Sequence, residues 1–186
     1  MPKLFMLLIG ATPPGRNIEQ HDVFFGIGET IKELIPSLLQ FWPEAKNKIH
    51  IDAWREVHYV NGHKVTVVTT DDKRQGSAKL FFINLGSYKE NEFEEFHYKM
   101  IVAARDKSEA IAASKTTAFF LHNSGIKGAN SHIDDKYGID VDDIYEIGDI
   151  LGKEIKGQFR ILVEPVGGEV ADDEIHLGYF KLSSFE

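Results

Sequence analysis

The residues of this 186-residue chain best suited to chemistry are two Glu-x-His pairs, Glu19 with His21 and Glu95 with His97. Carboxylate and imidazole together can hold a hard-to-borderline divalent cation or act as an acid–base pair. Residues two apart in a strand point to one face, so each pair presents both side chains together. The same spacing recurs in His50-Ile51-Asp52 and His132-Ile133-Asp134. There each Asp shares a face with its histidine or orients it through a hydrogen bond. Were the two Glu-x-His pairs to meet at a two-fold axis, His21, His97, Glu19 and Glu95 would offer one metal ion two imidazoles and two carboxylates. Matched His and acid pairs are necessary for such a site without being specific to it. The plainer reading is preferred: each histidine sits at a strand start and bonds backbone or a neighbouring carboxylate.

A second candidate pocket lies where loops leave two glycine-ended strands, at residues 10–17 and 86–91. Asn84, Tyr88 and Asn91 could line it with polar groups in the second loop, but Leu8, Thr12 and Gly15 take their places in the first. Such a pocket would exist once. Glycine there is equally what any turn after a buried strand requires.

Other chemistries find little footing. The chain has no cysteine, which removes disulfides, thiolate metal sites and a cysteine nucleophile. No serine stands in a Gly-x-Ser-x-Gly setting. Gly26-Ile27-Gly28 precedes a helix signal, yet the third glycine of a dinucleotide loop is missing and no P-loop Lys-Ser/Thr follows. The acidic run 140–143 suggests calcium, but counted from Asp134 the twelfth residue is Tyr145 rather than glutamate, so the run reads as a solvated face. Pro2 could serve as a terminal base of the tautomerase kind. In those proteins the first strand runs straight to a helix, and here residues 19–28 intervene. A net charge of −8 repels phosphate backbones, which argues against nucleic-acid partners. The apolar run 4–9 is too short to span a bilayer and no leader pattern precedes it, so the expected setting is cytoplasmic, without a membrane.

The elements that must position these residues come in duplicate. Shifted by 76, residues 3–24 lie over residues 79–100 with six identities in 22 positions: Lys3/Lys79, Leu4/Leu80, Phe5/Phe81, Gly10/Gly86, Glu19/Glu95 and His21/His97. Chance composition gives roughly one or two. The same offset carries the capping box Thr30-x-x-Glu33 onto Asp106-x-x-Glu109. Behind the first cap, Ile31, Leu34, Ile35, Leu38, Leu39 and Trp42 follow the spacing of one apolar helix face, with Pro36 inside and Pro43 as the stop. Ala110, Ile111, Thr117, Ala118 and Leu121 form the second stripe. The His-Ile-Asp tripeptides follow each helix at an offset of 82. Residues 54–59 and 63–69 read as a hairpin about Asn61-Gly62, and residues 140–147 take the corresponding place in the second half. Strands are expected over 159–166 and 175–182.

The predicted fold is therefore α+β and two-layered, with two tandem strand–strand–helix–strand repeats, mainly antiparallel sheet and pseudo-two-fold symmetry. The expected divisions are 1–72 for the first repeat, 77–152 for the second, and 153–186 as a strand hairpin completing the second half.

The segments KLFMLLIG, NIEQHDVFF and HIDAW, with KLFFINLGSYKENEFEEFH, resemble the bacterial family known as domain of unknown function 1543. The likeness covers roughly residues 3–150, and the LGxY and NEFxExH run is its most specific part. The resemblance implies one or two copies of the unit and supplies no activity.

These observations point to a non-catalytic binding or interaction module built from a duplicated unit, with no cofactor and with a protein or small molecule as partner. Exposed strand edges suggest self-association as a homodimer. The alternative is a metal-dependent or acid–base enzyme acting on a small molecule through the Glu-x-His pairs. Convergence of four such groups around one point would favour that alternative; separate, individually satisfied histidines would favour the module.

Overall fold

The computed structural model describes residues 1–45, 48–88, 91–123 and 140–185, with side chains for all of these except 87, 88, 117–123 and 140. His132 and Asp134 lie outside the described residues. The chain forms two units, Met1–Gln75 with Leu151–Glu186, and Gly76–Ile150. Both are α+β, every strand pairing is antiparallel, and each sheet draws its strands from a single unit.

In the first unit β1 (Lys3–Ala11) is central, between β2 (Gln20–Gly28) and β3 (His50–Glu56), with β10 (His176–Lys181) beyond β3. Leu4 on one face of β1 and Phe5, Leu7 and Ile9 on the other are all buried, which explains the nearly continuous apolar run. Phe5, Leu7, Ile9 and Ala11 alternate onto the face that packs against helix α1 (Ile31–Phe41), whose Ile31, Leu34 and Leu38 are buried one above the other. This is the expected stripe. The cap differs in detail: the Thr30 hydroxyl makes no capping bond, and the Glu33 carboxylate accepts the N–H of Glu29 at 2.8 Å. Pro36 stays inside the helix, which continues to Phe41 before Trp42 and Pro43.

Asn61 and Gly62, both with positive φ (33° and 79°), turn β4 (Tyr59–Val60) into β5 (His63–Thr69). The turn is where the sequence places it, but its first arm is only two residues long. Trp54 belongs instead to β3, because that stretch pairs along β1.

The C-terminal stretch departs from expectation. The sequence predicts that residues 153–186 complete the second half, yet β9 (Phe159–Pro165) pairs with β5 and β10 pairs with β3, both in the first unit. The free edges of β5 and β3 accept these strands, and β9 buries Leu162 and Val163 there. Two short helices, α3 (Ile147–Ile150) and α4 (Lys153–Gln158), precede β9 where the sequence predicts none.

In the second unit β6 (Lys79–Tyr88) is central, flanked by β7 (Glu95–Ala104) and β8 (Asp140–Glu146). Phe81, Ile83 and Leu85 form its core with Val102, Ala104 and Ala110. Helix α2 (Lys107–Asn123) begins at a side-chain cap: Asp106 Oδ1 accepts the N–H of Glu109 at 2.9 Å, while Glu109, like Glu33 in α1, accepts the N–H one residue before the cap, that of Arg105, at 2.7 Å. Of its expected stripe, Ala110 is in the core and Ile111 is half-buried. The side chains of Thr117, Ala118 and Leu121 lie outside those described.

Several internal relationships recur in the two units. Lys3 pairs with Glu56 at 2.7 Å, and Lys79 pairs with Glu146 at 2.8 Å. The register of β3 on β1 shifts between Leu8 and Ile9, leaving Asp52 as the extra residue, and that of β8 on β6 shifts between Asn84 and Leu85, leaving Asp142. The strand standing to β6 as β3 stands to β1 is therefore Asp140–Glu146, at an offset of 90 from Ile51 to Val141 rather than 82. The sequence equated this stretch with the hairpin that follows β3. Pairing register, not the His-Ile-Asp letters, decides the match. Among the described residues no helix is long and apolar enough to cross a membrane.

Candidate functional site

In the first unit a row runs across three strands: His21 on β2, Gly10 on β1 and His50 on β3, each directly opposite the next. Side chains opposite one another share a face, so both imidazoles stand over a residue that has none. A Cβ on Gly10 would fall 2.5 Å from His50 Nε2 and 2.7 Å from Asp52 Oδ2. Glycine here gives the two neighbours their space.

Two carboxylates complete the group. Glu19 immediately precedes β2, and Asp52 is turned in by the bulge of β3, a common way for a strand to re-aim one side chain. His50 Nε2 lies 3.1 Å from Glu19 Oε1 and 3.2 Å from Asp52 Oδ1. His21 Nε2 lies 3.3 Å from Asp52 Oδ2 and 3.6 Å from Glu19 Oε2. Each carboxylate thus faces both imidazoles, one oxygen to each. His50 is buried, its side chain 6% exposed, while His21 is 42% exposed, so the cluster has one inner and one outer wall. His50 Nε2 and Asp52 Oδ2 are both buried without a hydrogen-bond partner of acceptable geometry. Tyr179 of β10 covers the His50 ring, with centroids 4.3 Å apart. Further along, His176 stacks on Trp54 at 3.9 Å.

The second unit repeats the row with a different third member: His97, Gly86 and Asp140 stand opposite one another. His97 Nδ1 lies 3.3 Å from Asp142 Oδ2, and its Nε2 lies 3.7 Å from Glu95 Oε2. Glu95, His97 and Asp142 each offer a ligand atom within 4.8 Å of the others. Asn84 Nδ2 is 3.2 Å from His97 Nδ1 and 3.4 Å from Asp143 Oδ2. A Cβ on Gly86 would collide with the Asp142 carboxylate. None of these three is buried as His50 is: Glu95 is 40%, His97 36% and Asp142 29% exposed.

Glu19, His21, His50 and Asp52, all candidates from the sequence, thus meet within one unit and not with Glu95 and His97 at a two-fold axis. Each Glu-x-His pair meets a bulged aspartate of its own unit. In the second unit Asp142, read as part of a solvated acidic face, stands beside His97. Tyr88 ends β6 opposite Glu95, and its side chain lies outside those described. Tyr179 was missed, because only strand pairing brings residue 179 beside residue 50.

Residues 16–67 match the family described as Domain of Unknown Function (DUF1543), over the stretch that carries Glu19, His21, His50 and Asp52. No curated protein matches the chain. Among solved structures it resembles the crystal structure of a protein Il1583 from Idiomarina loihiensis, at 20% identity and a TM-score of 0.63 over 98% of each chain. That likeness is one of fold.

Proposed function

We propose that this chain is a non-catalytic binding protein built from a duplicated unit, each copy offering a histidine–carboxylate cluster as its recognition feature. The observation that carries the reading is the paired bulge, which sets Asp52 beside Glu19 and His21, and Asp142 beside Glu95 and His97. The recurring Lys3–Glu56 and Lys79–Glu146 ion pairs support duplication, since they match in geometry as well as in letters. Both clusters also rest on a glycine whose replacement would crowd the acid.

A second reading, a metal-dependent or acid–base enzyme acting on a small molecule, is favoured by the convergence of four ionisable groups in the first unit. One experiment separates the two. Purified protein is titrated with divalent cations, inorganic oxyanions, amino acids and nucleotides, following thermal unfolding and the recovered small molecule by mass spectrometry. The binding reading expects a stabilising ligand recovered unchanged, its effect lost in the Glu19→Gln/Glu95→Gln double variant. Conversion of that ligand establishes the enzyme reading. Stabilisation that survives the double variant, or none across the panel, counts against both.

A further inference from the structure

We infer that the cluster of the first unit is a binding site for one divalent first-row transition-metal ion, held by His21 Nε2, His50 Nε2, Glu19 and Asp52. The inference deepens the reading above and rests on its choice of recognition feature.

Three independent features of the cluster support it. The first is the state of His50. This imidazole is nine-tenths buried, yet Nε2 has no hydrogen-bond partner, and neither nearby oxygen is placed to accept a hydrogen from it. An unpaired polar atom at such depth is costly, since it has given up water without gaining a partner. A lone pair donated to a cation removes that cost, and the buried Oδ2 of Asp52 is relieved in the same way.

The second is arrangement. Glu19 turns one carboxylate oxygen to His50 and the other to His21, and Asp52 does the same, with nitrogen–oxygen separations of 3.1, 3.2, 3.3 and 3.6 Å. Two imidazoles and two carboxylates thus alternate around one small ring, with no lysine or arginine among them.

The third is the floor. Gly10 leaves open the volume between the imidazoles, where any Cβ would press on His50 Nε2 and Asp52 Oδ2.

Donor chemistry sets the class of ion. Two imidazoles suit zinc, iron, nickel or copper, and two carboxylates broaden the choice towards manganese. Magnesium prefers oxygen ligands and retained water, so it is a poor competitor. The second unit differs at one decisive register position, having Asp140 opposite Gly86 where the first has His50 opposite Gly10. Among the described residues its cluster offers a single imidazole, which makes the first unit, with two, the tighter site for a transition ion.

The test uses full-length protein without a polyhistidine tag, stripped with chelator, and calorimetric titration with zinc and with magnesium. The expected result is one tight equivalent of zinc per chain and no comparable magnesium binding. In His21→Ala and in Glu19→Gln the tight equivalent should weaken by more than the roughly 100-fold that loss of a supporting group costs. Both side chains are over 40% exposed, so these variants should fold, as circular dichroism checks. His97→Ala should keep the tight equivalent. Zinc binding that is absent from the wild type, unchanged in both variants, or lost only with His97→Ala overturns the inference. If zinc fails while Glu19→Gln/Glu95→Gln still abolishes stabilisation by another ligand, this inference falls and the binding-protein reading stands.

Discussion

Gly10 faces His50 so closely that a single added methyl would stand 2.5 Å from Nε2 of the ring. The imidazole cannot easily yield, because Tyr179 covers it and the residue is 4% exposed. Gly10→Ala should therefore destabilise the protein by about 1–3 kcal/mol, the usual effect of overfilling a packed site. Gly167→Ala, with nothing within 4 Å of the added atom, should stay within about 0.5 kcal/mol of wild type. Urea denaturation of both variants measures the difference, and equal midpoints would refute the close approach.

The first unit's core depends on α1 lying over β1. Leu38 is fully buried there, with Phe5, Leu7 and Ile9 in the same cluster. Leu38→Ala should cost about 2–5 kcal/mol, through lost burial and the cavity left behind. Leu39, only partly buried beside that cluster, should cost less when shortened to alanine. Denaturant unfolding of the two variants gives the order directly.

Asp72 supplies a pH dependence. Hydrogen bonds from the Arg74 side chain and backbone, with the nearby charges of Arg74 and Arg160, hold its carboxyl down from 3.8 to about 2. Arg160 of β9 also donates to the backbone carbonyls of Asp72, at 2.8 Å, and of Arg74, tying this segment to the C-terminal sheet. A depressed folded-state value means the contribution is present above the ordinary carboxylate range and disappears as pH falls through the folded value. The melting-temperature gap between wild type and Asp72→Asn should be constant above about pH 5 and close towards about pH 2. A gap that widens in acid would reverse the sign and refute the assignment.

The β4–β5 turn uses two left-handed residues, Asn61 and Gly62. Such a turn matches strand twist only if both central residues accept positive φ, which asparagine and glycine do most readily. Gly62→Ala meets no steric neighbour, so its effect is purely conformational. Calorimetry should show a loss on the order of 1 kcal/mol.

Much of this architecture is legible before folding. The central strands, both helix starts, the Asn-Gly turn and the Glu-x-His pairs are local patterns, each set by a period of two, a capping residue or a backbone preference. The candidate residues of the first cluster were legible for the same reason, since i and i+2 in a strand share a face. Pro36 shows the limit of local reasoning, because packing of Leu34 and Leu38 holds the helix together through the proline.

What the amino-acid sequence determines by itself is therefore which segments become strands and helices, and which pairs of side chains each strand displays. Only the tertiary structure decides which displays meet. Bulges at Asp52 and Asp142 join acids to histidines across the central strand of each sheet, and the register of β8 sets residues 140–146 along β6. The C-terminal strands close on β5 and β3, and so bring Tyr179 over His50. Strand pairing joins residues more than a hundred positions apart through backbone hydrogen bonds that any side chain permits. Its register is a property of the packed whole and leaves no local mark in the chain.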